Sequence, residues 1–264
     1  MKLFSALSTV VLSLGLMAGV SSAQANQLES VQSKGVLKVA VPQDFPPFGS
    51  VGRDLKPQGY DIDMAAYLAE QLNVKLELVP VTSANRIPYL QTGRVDLVIS
   101  SMGKNPERER AIDFTQAYAP FYLGVFGAES EEVASASDLS GKTIGVTRGS
   151  VEDLNLSEIA PADTIIKRFE DNNATLSSYL SGQVGLIATG NLVVTEIATR
   201  YPSKAPQTKF LLKNSPCYVG VMKGQQELLD EVNRLISNAK QAGVLEALSQ
   251  KWMRAPFPAD LDEV

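Results

Sequence analysis

Two hydrophobic patterns, one typical of strands and one typical of helices, alternate along this chain. Short apolar runs rich in β-branched residues, such as residues 36–41, are typical of buried strands, while residues 59–72 place apolar side chains at helical spacing. In that second stretch Ile62, Ala65 and Ala69 share one face, and two acidic residues stand in the first turn, where negative charge suits a helix. Strands that alternate with helices predict parallel strands joined by helical crossovers.

A second strand–helix series begins near residue 121, after a first series that ends near residue 100. The predicted strands of the two series, in chain order, are 36–41, 76–81, 96–100, 121–127, 142–147, 164–169 and 184–189. Two such series in a chain of 264 residues predict two α/β lobes rather than one continuous sheet. The amphipathic stretch 228–253 predicts one long C-terminal helix that packs its apolar stripe on the core.

The first 25 residues predict a cleavable export signal. Lys2 precedes an apolar stretch, and small residues at Ala23 and Ala25 form the A-x-A pattern of a signal-peptidase site, so residues 1–25 are expected to be removed. No later run approaches the ~20 apolar residues of a spanning helix, and no cysteine follows the signal directly to accept a lipid. The expectation is a soluble mature protein in the periplasm.

The amino-acid composition excludes several kinds of catalytic and binding site. The chain has no histidine, which excludes Ser-His-Asp and Cys-His catalysis and histidine metal sites. Its one cysteine, Cys217, cannot form a disulfide within the chain. With 24 basic and 29 acidic residues the formal net charge is −5, which argues against a nucleic-acid surface. The sequence thus predicts no cofactor, no metal and no nucleic-acid partner.

The segment 100–110, SSMGKNPERER, joins the end of a predicted strand to a charged helix that opens at Pro106. Small residues at a strand end leave room for a ligand, and Arg108 or Arg110 could fold back over that end. Arginine suits a carboxylate because its planar fork donates two parallel hydrogen bonds. The alternative is an ordinary solvated helix, and spacing alone leaves both interpretations open.

The segment 145–154, GVTRGSVEDL, has the same form in the second series. Gly149 permits a tight turn, and Ser150 is a good N-cap for the helix that follows. Free N–H groups at such a helix start can hold an anion, and Arg148 beside it adds a cation that would favour a second acidic group on the ligand. The alternative is an ordinary strand-to-helix turn.

Five segments, taken in order and spacing, resemble the bacterial extracellular solute-binding proteins of the polar amino-acid type. They are GVLKVAVPQDFPPFG, GYDIDMAAYLAEQL, LQTGRVDLVISSMGKNPERERAIDFTQAYA, LSGKTIGVTRGS and LSGQVGLIAT, and together they span essentially the whole mature chain. The resemblance implies a two-lobed periplasmic-binding-protein fold of type II, an α/β fold whose mixed, mostly parallel sheets are flanked by helices. It also implies a ligand cleft between the lobes, a monomer, and an ABC transporter permease as partner.

By this resemblance both ends of the chain build one lobe. Lobe one is expected to comprise residues 26–119 and 216–264, and lobe two residues 120–215, with hinges near Pro120 and Ser215. Proteins of this family close their lobes on the ligand and present the closed complex to the transporter.

The resemblance also implies roles for individual residues. In the family, the arginine six residues before a phenylalanine holds the ligand's carboxylate, and counting back from Phe114 selects Arg108 and leaves Arg110 solvated. Ser150 and the N–H of Val151 are expected to meet that carboxylate from lobe two. The remaining expected site residues are Phe45, as an aromatic wall, Ser101, Gly103, Thr147, Arg148 and Asn191.

The chain departs from the family pattern at several places, among them Pro42, where an acid is often found, and Asn105, where a threonine is frequent. Many members carry a serine or threonine five residues before the arginine, where this chain has Gly103, so that only an N–H can donate there. The aspartate that usually binds the α-ammonium, just after GLIAT, is replaced by Gly190 and then Asn191. Asn191 or Glu152 could accept from an ammonium in its place; with neither, the ligand would be an amine-free carboxylate.

The predicted function is capture of a small carboxylate-bearing solute, most simply an amino acid, for an ABC importer. An enzyme that resembles the cyclohexadienyl dehydratases is the alternative on the same scaffold. Its catalytic glutamate would be expected shortly after the late lobe-two strand, where the stretch TGNLVV has no acid, so binding without turnover is favoured. A sensor domain of a larger receptor is disfavoured because no further apolar span follows.

Overall fold

The computed structural model describes residues 26–258 and residue 261. The predicted signal peptide, residues 1–25, lies outside these described residues. Within them, no helix has the length and apolar character that crossing a membrane would require.

Strands and helices alternate along this part of the chain. The strands are β1 (Val36–Val41), β2 (Asp44–Phe45), β3 (Gly49–Val51), β4 (Pro57–Gln58), β5 (Lys75–Pro80), β6 (Leu97–Met102), β7 (Ile112–Ala119), β8 (Tyr122–Gly127), β9 (Thr143–Thr147), β10 (Ile165–Phe169), β11 (Leu186–Gly190), β12 (Gln207–Asn214) and β13 (Cys217–Met222). The α-helices are α1 (Gln27–Lys34), α2 (Tyr60–Gln71), α3 (Arg86–Gln91), α4 (Pro106–Ala111), α5 (Val151–Ile159), α6 (Asn172–Leu180), α7 (Asn191–Arg200), α8 (Gln226–Gln241) and α9 (Val244–Met253). Every strand that the sequence predicts is present, with its ends shifted by two residues at most.

Two mixed sheets of five strands organise the fold. Their orders are β5-β1-β6-β13-β7 and β10-β9-β11-β8-β12. In each sheet the first three strands are parallel, as the strand–helix alternation predicts, and the last two add antiparallel pairings. These antiparallel strands, β7, β8, β12 and β13, flank the places where the chain passes from one sheet to the other. The short strands β2, β3 and β4 form a small antiparallel sheet of their own.

The chain passes between the two large sheets twice, at residues 120–121 and at residues 215–216. A hydrogen bond from the Ser215 N–H to the Phe121 carbonyl, 2.9 Å long, joins the two passages. We call the body around the first sheet lobe one and the body around the second sheet lobe two. Lobe one takes its strands from the parts of the chain before and after lobe two. The exact lobe boundaries, 26–119 with 216–264 and 120–215, stay a prediction.

Helix α2 packs on the first sheet with the face that its pattern predicts. Its residues Ile62, Ala65 and Ala69 are buried. The entry to the helix depends on Gly59, whose φ is +143° and whose added Cβ would lie 2.2 Å from the Phe48 carbonyl oxygen. Only glycine fits this close approach, so the turn before α2 is fixed by the sequence.

The prediction of one long C-terminal helix is wrong. The structure has two helices there, α8 and α9, separated at residues 242–243. Gly243 adopts φ +74°, the left-handed conformation that ends helices at a glycine. The predicted stripe on α8 is nevertheless buried against the core, as Leu228, Val232 and Leu235 show.

Asp44 links lobe one to the start of a lobe-two helix. Its carboxylate accepts hydrogen bonds from the Asn172 N–H at 2.7 Å, from the Asn172 side-chain amide at 3.1 Å and from the Asn173 N–H at 3.4 Å. These N–H groups open α6, where the helix dipole favours a negative charge. Asp44 therefore stabilises the closed arrangement of the two lobes directly.

Replacing Asp44 should shift the protein toward an open arrangement. The contact is worth about 1–2 kcal/mol, so Asp44→Ala without added ligand should show a larger radius of gyration in small-angle X-ray scattering. Asp54→Ala, at an exposed acid between β3 and β4, is the matched control and should leave the radius unchanged. An Asp44→Ala protein as compact as this control would show that the contact does not hold the lobes together.

Candidate functional site

A small cavity lies between the lobes, next to the two passages of the chain. It is lined by Phe45, Ser83, Arg86, Ser101 and Gly103 of lobe one, by Leu123, Ser150, Val151, Glu152 and Asn172 of lobe two, and by Phe121 and Ser215 of the passages. The rings of Phe45 and Phe121 meet edge to face, with centroids 5.8 Å apart, and form its aromatic side. In the closed arrangement the remaining space is about 20 Å³, which is close to the room that one water needs.

Part of the predicted site comes together here. The residues that line the cavity as expected are Phe45, Ser101, Gly103, Ser150 and Val151. The predicted aromatic wall is present, and the end of β6 faces the start of α5 across the cavity. Both segments singled out by sequence therefore contribute to one place, although they lie in different lobes.

Arg108 is buried beside the cavity and contacts both lobes. Its Nη1 donates to the Gly103 carbonyl at 2.9 Å, and its Nη2 donates to the Gly149 carbonyl of lobe two at 3.0 Å. The side chain of Asn105 caps α4 by accepting a hydrogen bond from the Arg108 N–H at 2.8 Å. Burial and the nearby Arg86 lower the pKa of Arg108 to about 10, so the guanidinium stays protonated at neutral pH.

Thr147 and Arg148 stand at the end of β9 but do not line this cavity. The Thr147 hydroxyl donates to the Asn172 side-chain oxygen at 2.9 Å and lines a larger neighbouring cavity instead. The Arg148 side chain is 53% exposed, and its Nε lies 3.7 Å from the Glu170 carboxylate. The Arg148 side chain therefore extends from the strand end toward solvent, and its expected role toward a second acidic group of the ligand stays a prediction. Arg110 is exposed as well.

The predicted role of Asn191 is also not supported. Its side-chain oxygen accepts a hydrogen bond from the Tyr122 N–H at 3.2 Å, and the residue does not line the cavity. Gly190 packs directly on Phe121, since an added Cβ would lie 2.0 Å from a ring atom. An aspartate cannot occupy position 190 unless the Phe121 ring moves. With the Phe121 ring in this position only glycine fits at 190, and the Asn191 side chain is directed to the Tyr122 N–H instead of the cavity.

The hydroxyl of Ser215, in the passage at residues 215–216, compensates for the missing side chain at Gly103. A Cβ added at Gly103 would lie 2.1 Å from the Ser215 Oγ. The Ser215 side chain therefore fills the space that a serine or threonine at position 103 would take. The cavity keeps a hydroxyl at this point, but a different part of the chain supplies it.

Arg86, which the motifs did not reveal, faces the cavity from the start of α3. It is 5% exposed and shares a buried helical face with Leu90, four residues later. Burial lowers the pKa of Arg86, while the carboxylates of Glu152, Asp44 and Asp61 oppose that shift. An arginine at helical spacing from a core leucine was the one sign in the sequence that could have identified it.

Glu152 is the carboxylate that lines the cavity. It is the second residue of α5 and is 6% exposed. Burial raises the pKa of Glu152, while the Ser150 hydroxyl and the guanidinium groups of Arg86 and Arg108 oppose the rise. The site therefore combines two buried cations with one buried acid.

Several buried polar atoms around the cavity have no hydrogen-bond partner among the described residues. They include the Arg86 Nε, the Ser101 Oγ and the Ser215 Oγ. Buried polar groups are nearly always hydrogen-bonded, and an unpaired one costs about 1–3 kcal/mol. Three such atoms at one cavity indicate a place built to receive a polar ligand.

A buried network holds the Ser101 end of the cavity in place. Ser101 has φ +41°, a strained conformation for a residue other than glycine, and its N–H donates to the Asp61 carboxylate at 2.7 Å. The Tyr118 hydroxyl donates to the same carboxylate at 2.6 Å, and the Tyr60 hydroxyl donates to the Tyr118 carbonyl at 2.8 Å. Asp61 therefore positions Ser101 without touching the cavity.

Residues 37–255 match the family of bacterial extracellular solute-binding proteins, family 3. The chain belongs to this family. This membership confirms the prediction of a binding protein of the transport type, and it confirms the two-lobed fold.

The relatives of this solute-binding protein include one that matches nearly its whole length. It is 27% identical over 251 residues to the L-cystine-binding protein TcyJ of Escherichia coli (strain K12), covering 93% of this chain and 94% of that protein. Over 188 residues it is 30% identical to the glutamine-binding protein of Geobacillus stearothermophilus, covering 69% and 71% of the two chains.

Solved structures agree with the fold. The cysteine-binding protein from Campylobacter jejuni superposes with a TM-score of 0.82 at 25% identity, covering 89% of this chain and 96% of that one. The ancestral amino acid-binding protein AncCDT-1, described as a precursor of cyclohexadienyl dehydratase, superposes with a TM-score of 0.76 at 30% identity, covering 86% and 99%.

The ionisation of Asp61 should set part of the pH dependence of stability. Burial raises the pKa of Asp61 from 3.8 to about 7, although hydrogen bonds from Tyr118 and Ser101 act against the rise. A carboxyl whose pKa is higher in the folded protein destabilises the fold as it ionises. The contribution of Asp61 is therefore favourable at low pH and is lost as the pH rises from about 4 to about 7.

Urea unfolding from pH 4 to pH 8 tests this effect. The difference in unfolding free energy between the wild type and Asp61→Asn should change by a few kcal/mol across that range, at 1.36 kcal/mol per pKa unit. Asp63→Asn, two residues along the same helix and bonded to Lys251, is the matched control for the loss of an acid from α2. Parallel profiles for the wild type and Asp61→Asn would contradict the assignment.

Proposed function

We propose that this protein is the periplasmic receptor of an ABC importer and that it binds an α-amino acid between its lobes for delivery to the permease. One observation carries the proposal. The cavity brings unpaired, buried donors of lobe one and of the passage at Ser215 together with Arg86 and one acid, and the buried Arg108 lies beside it. That set matches the two opposite charges of an amino-acid head group.

The cationic side of the cavity suits the carboxylate. Arg86 and Arg108 are both buried and charged, and an arginine bonds a carboxylate through two parallel hydrogen bonds. Ser150 caps α5, whose first N–H groups carry a partial positive charge toward the cavity. The unpaired hydroxyls of Ser101 and Ser215 complete the donors on this side.

Glu152 suits the ammonium. A buried ammonium needs an acceptor, preferably a charged one. The Phe121 ring occupies the space that an acidic side chain at position 190 would need. The Asn191 side-chain oxygen already accepts a hydrogen bond from the Tyr122 N–H. Glu152 is the acid that remains at the cavity; burial raises its pKa, and the charges of Arg86 and Arg108 oppose that rise.

The relatives support an amino acid as the class of ligand. Their names specify cystine, glutamine and arginine, and a superposed structure specifies cysteine. All four are α-amino acids that differ in the side chain, so the shared feature is the head group. The dehydratase alternative is favoured only by the likeness to the ancestral protein, and turnover of arogenate by the purified protein would support it.

Loss of the Glu152 charge should affect amino acids selectively. Glu152→Gln should weaken amino-acid binding at least 30-fold, because a buried ammonium loses its charged partner at a cost of about 2–5 kcal/mol. The 2-oxo and 2-hydroxy analogues of the same amino acids should not be weakened. Glu158→Gln, on the exposed face of the same helix, is the control.

A thermal-shift panel followed by calorimetry measures this selectivity. If wild-type protein is stabilised only by the amine-free analogues, the ammonium assignment fails and the carboxylate assignment survives. If Glu152→Gln weakens analogues and amino acids equally, Glu152 does not contact the ammonium.

Two arginines two residues apart provide a matched pair of variants. Arg108→Ala should weaken binding of an amino acid by about 2–5 kcal/mol, because it removes one member of a desolvated charge pair. Arg110→Ala should change the affinity little, since that side chain is exposed. Equal losses at both positions in calorimetry would contradict the assignment of Arg108.

A further inference from the structure

A further cavity lies between the lobes on the side of the β3–β4 hairpin. It encloses about 270 Å³. Lobe one lines it with Ser50 of β3, Gln58 of β4 and the end of α9, and lobe two lines it with one face of α7. None of its lining residues lines the small cavity that contains Glu152. The surface around this hairpin cavity is therefore separate from the small cavity, and it is complete only in the closed arrangement.

Three basic side chains line the hairpin cavity. They belong to Arg200 on α7, Lys251 on α9 and Arg254 just beyond α9. The first two pair with the acids Glu196 and Asp63, respectively. Arg254 is exposed and forms no ion pair within residues 26–258 and 261. It also has φ +55°, a left-handed conformation that is uncommon outside glycine.

The turn between β3 and β4 adds positive charge to the same side of the molecule. Arg53, Asp54 and Lys56 are exposed in this turn, which is closed by a hydrogen bond of 2.8 Å from the Gly52 N–H to the Lys56 carbonyl. The hairpin and the hairpin cavity together carry five basic residues and three acids, whereas the whole chain has 24 basic and 29 acidic residues. A local excess of positive charge on an acidic protein favours an acidic partner.

Apolar side chains are exposed beside these charges. Leu55, in the turn, is 83% exposed and has φ +64°, which is a strained conformation for a leucine. Val51 of lobe one and Tyr201 of lobe two are 51% and 46% exposed, and each directly follows a residue that lines the hairpin cavity. Both also line the larger cavity beside Thr147. Closure thus brings exposed apolar side chains of the two lobes to one face, as in a protein–protein contact.

We call this face the rim surface, and it consists of residues 51–56, Arg200, Tyr201, Lys251 and Arg254. We propose that the rim surface docks on the permease of the importer, against an acidic face with an apolar recess that takes Leu55. This inference rests on the proposed function and adds the place on the receptor where the permease binds.

The contribution of both lobes favours a permease over other occupants. A permease must distinguish the closed receptor from the open one, and a surface shared between the lobes exists only in the closed receptor. A bilayer or a second copy of this chain has no need of closure. A second copy would also bring the same basic residues face to face across a twofold axis, where like charges repel.

Reconstituted importers provide the test. The permease and ATPase subunits of each amino-acid importer of the source organism are placed in nanodiscs, and the importer whose ATP hydrolysis rises with the wild-type receptor and its amino acid is retained. The receptor concentration that gives half-maximal stimulation measures docking. Calorimetry with the same amino acid measures ligand binding separately.

Leu55→Ser removes the exposed apolar tip of the hairpin. It should raise the half-maximal concentration roughly tenfold or more, because a leucine side chain no longer enters the interface. Leu211→Ser is the matched control, since Leu211 is 63% exposed on β12 and lines none of the three cavities. Both variants should bind the amino acid as the wild type does.

Arg254→Glu reverses a charge of the rim surface that has no ion pair in the described part of the chain. It should raise the half-maximal concentration roughly tenfold or more and reduce the salt dependence of docking. Lys167→Glu, at an exposed position on β10, makes the same change in net charge away from the rim surface and should dock as the wild type does.

The outcomes separate this inference from the proposed function. If Leu55→Ser and Arg254→Glu stimulate the importer as their controls do, the rim surface does not bind the permease, and the proposed function is unaffected. If nanodiscs of the same lipids without importer bind the wild type but not these two variants, the rim surface binds the bilayer and the inference fails. If no importer responds to the wild type with any common amino acid, the proposed function fails, and this inference with it.

Discussion

The burial of charge between two lobes is the constraint on which this structure depends. Arg86, Arg108 and Glu152 are almost fully removed from water. Such groups cost several kcal/mol each unless other charges and hydrogen bonds replace their hydration. The three come from three different helices, α3, α4 and α5, and from both lobes, so only the closed fold brings them together. A zwitterionic ligand would complete the set, and binding and closure would then be parts of one event.

The two sides of the cavity are built in different ways. On the lobe-one side, Asp61 and Tyr118 fix the end of β6 and hold Ser101 in a conformation that it would not adopt alone. On the lobe-two side, the cavity is formed by the start of α5, whose N–H groups and acid need only an ordinary cap at Ser150. The strain at this site is thus concentrated on lobe one.

Much of the fold could be predicted because strands and amphipathic helices are local patterns. The strand at residues 36–41 was predicted to the residue, since Gly35 and Pro42 mark its two ends. The C-terminal helix was predicted too long, because a single glycine with positive φ ended it and the periodicity continued beyond. Arg86 was missed for another reason: its burial depends on which elements pack against α3, and no local pattern reveals that.

Packing between distant elements also limited what could be predicted for the side of the site proposed to bind the ammonium. The replacement of the acid by Gly190 was visible in the sequence, but its cause was not. The Phe121 ring, nearly seventy positions earlier in the chain, occupies the space that a side chain at 190 would need. The proposed role of Glu152, rather than Asn191, rests on the hydrogen bond from Tyr122 to Asn191 and on the burial of Glu152, and no local sequence pattern reveals either.

The contact between Gly103 and Ser215 has a consequence for the history of this site. Because the Ser215 Oγ occupies the place of a side chain at position 103, the two positions are coupled. A serine introduced at 103 alone would force the Ser215 hydroxyl to rotate away, and a glycine introduced at 215 alone would leave the cavity without that hydroxyl. The identities of the two residues should therefore covary among related proteins.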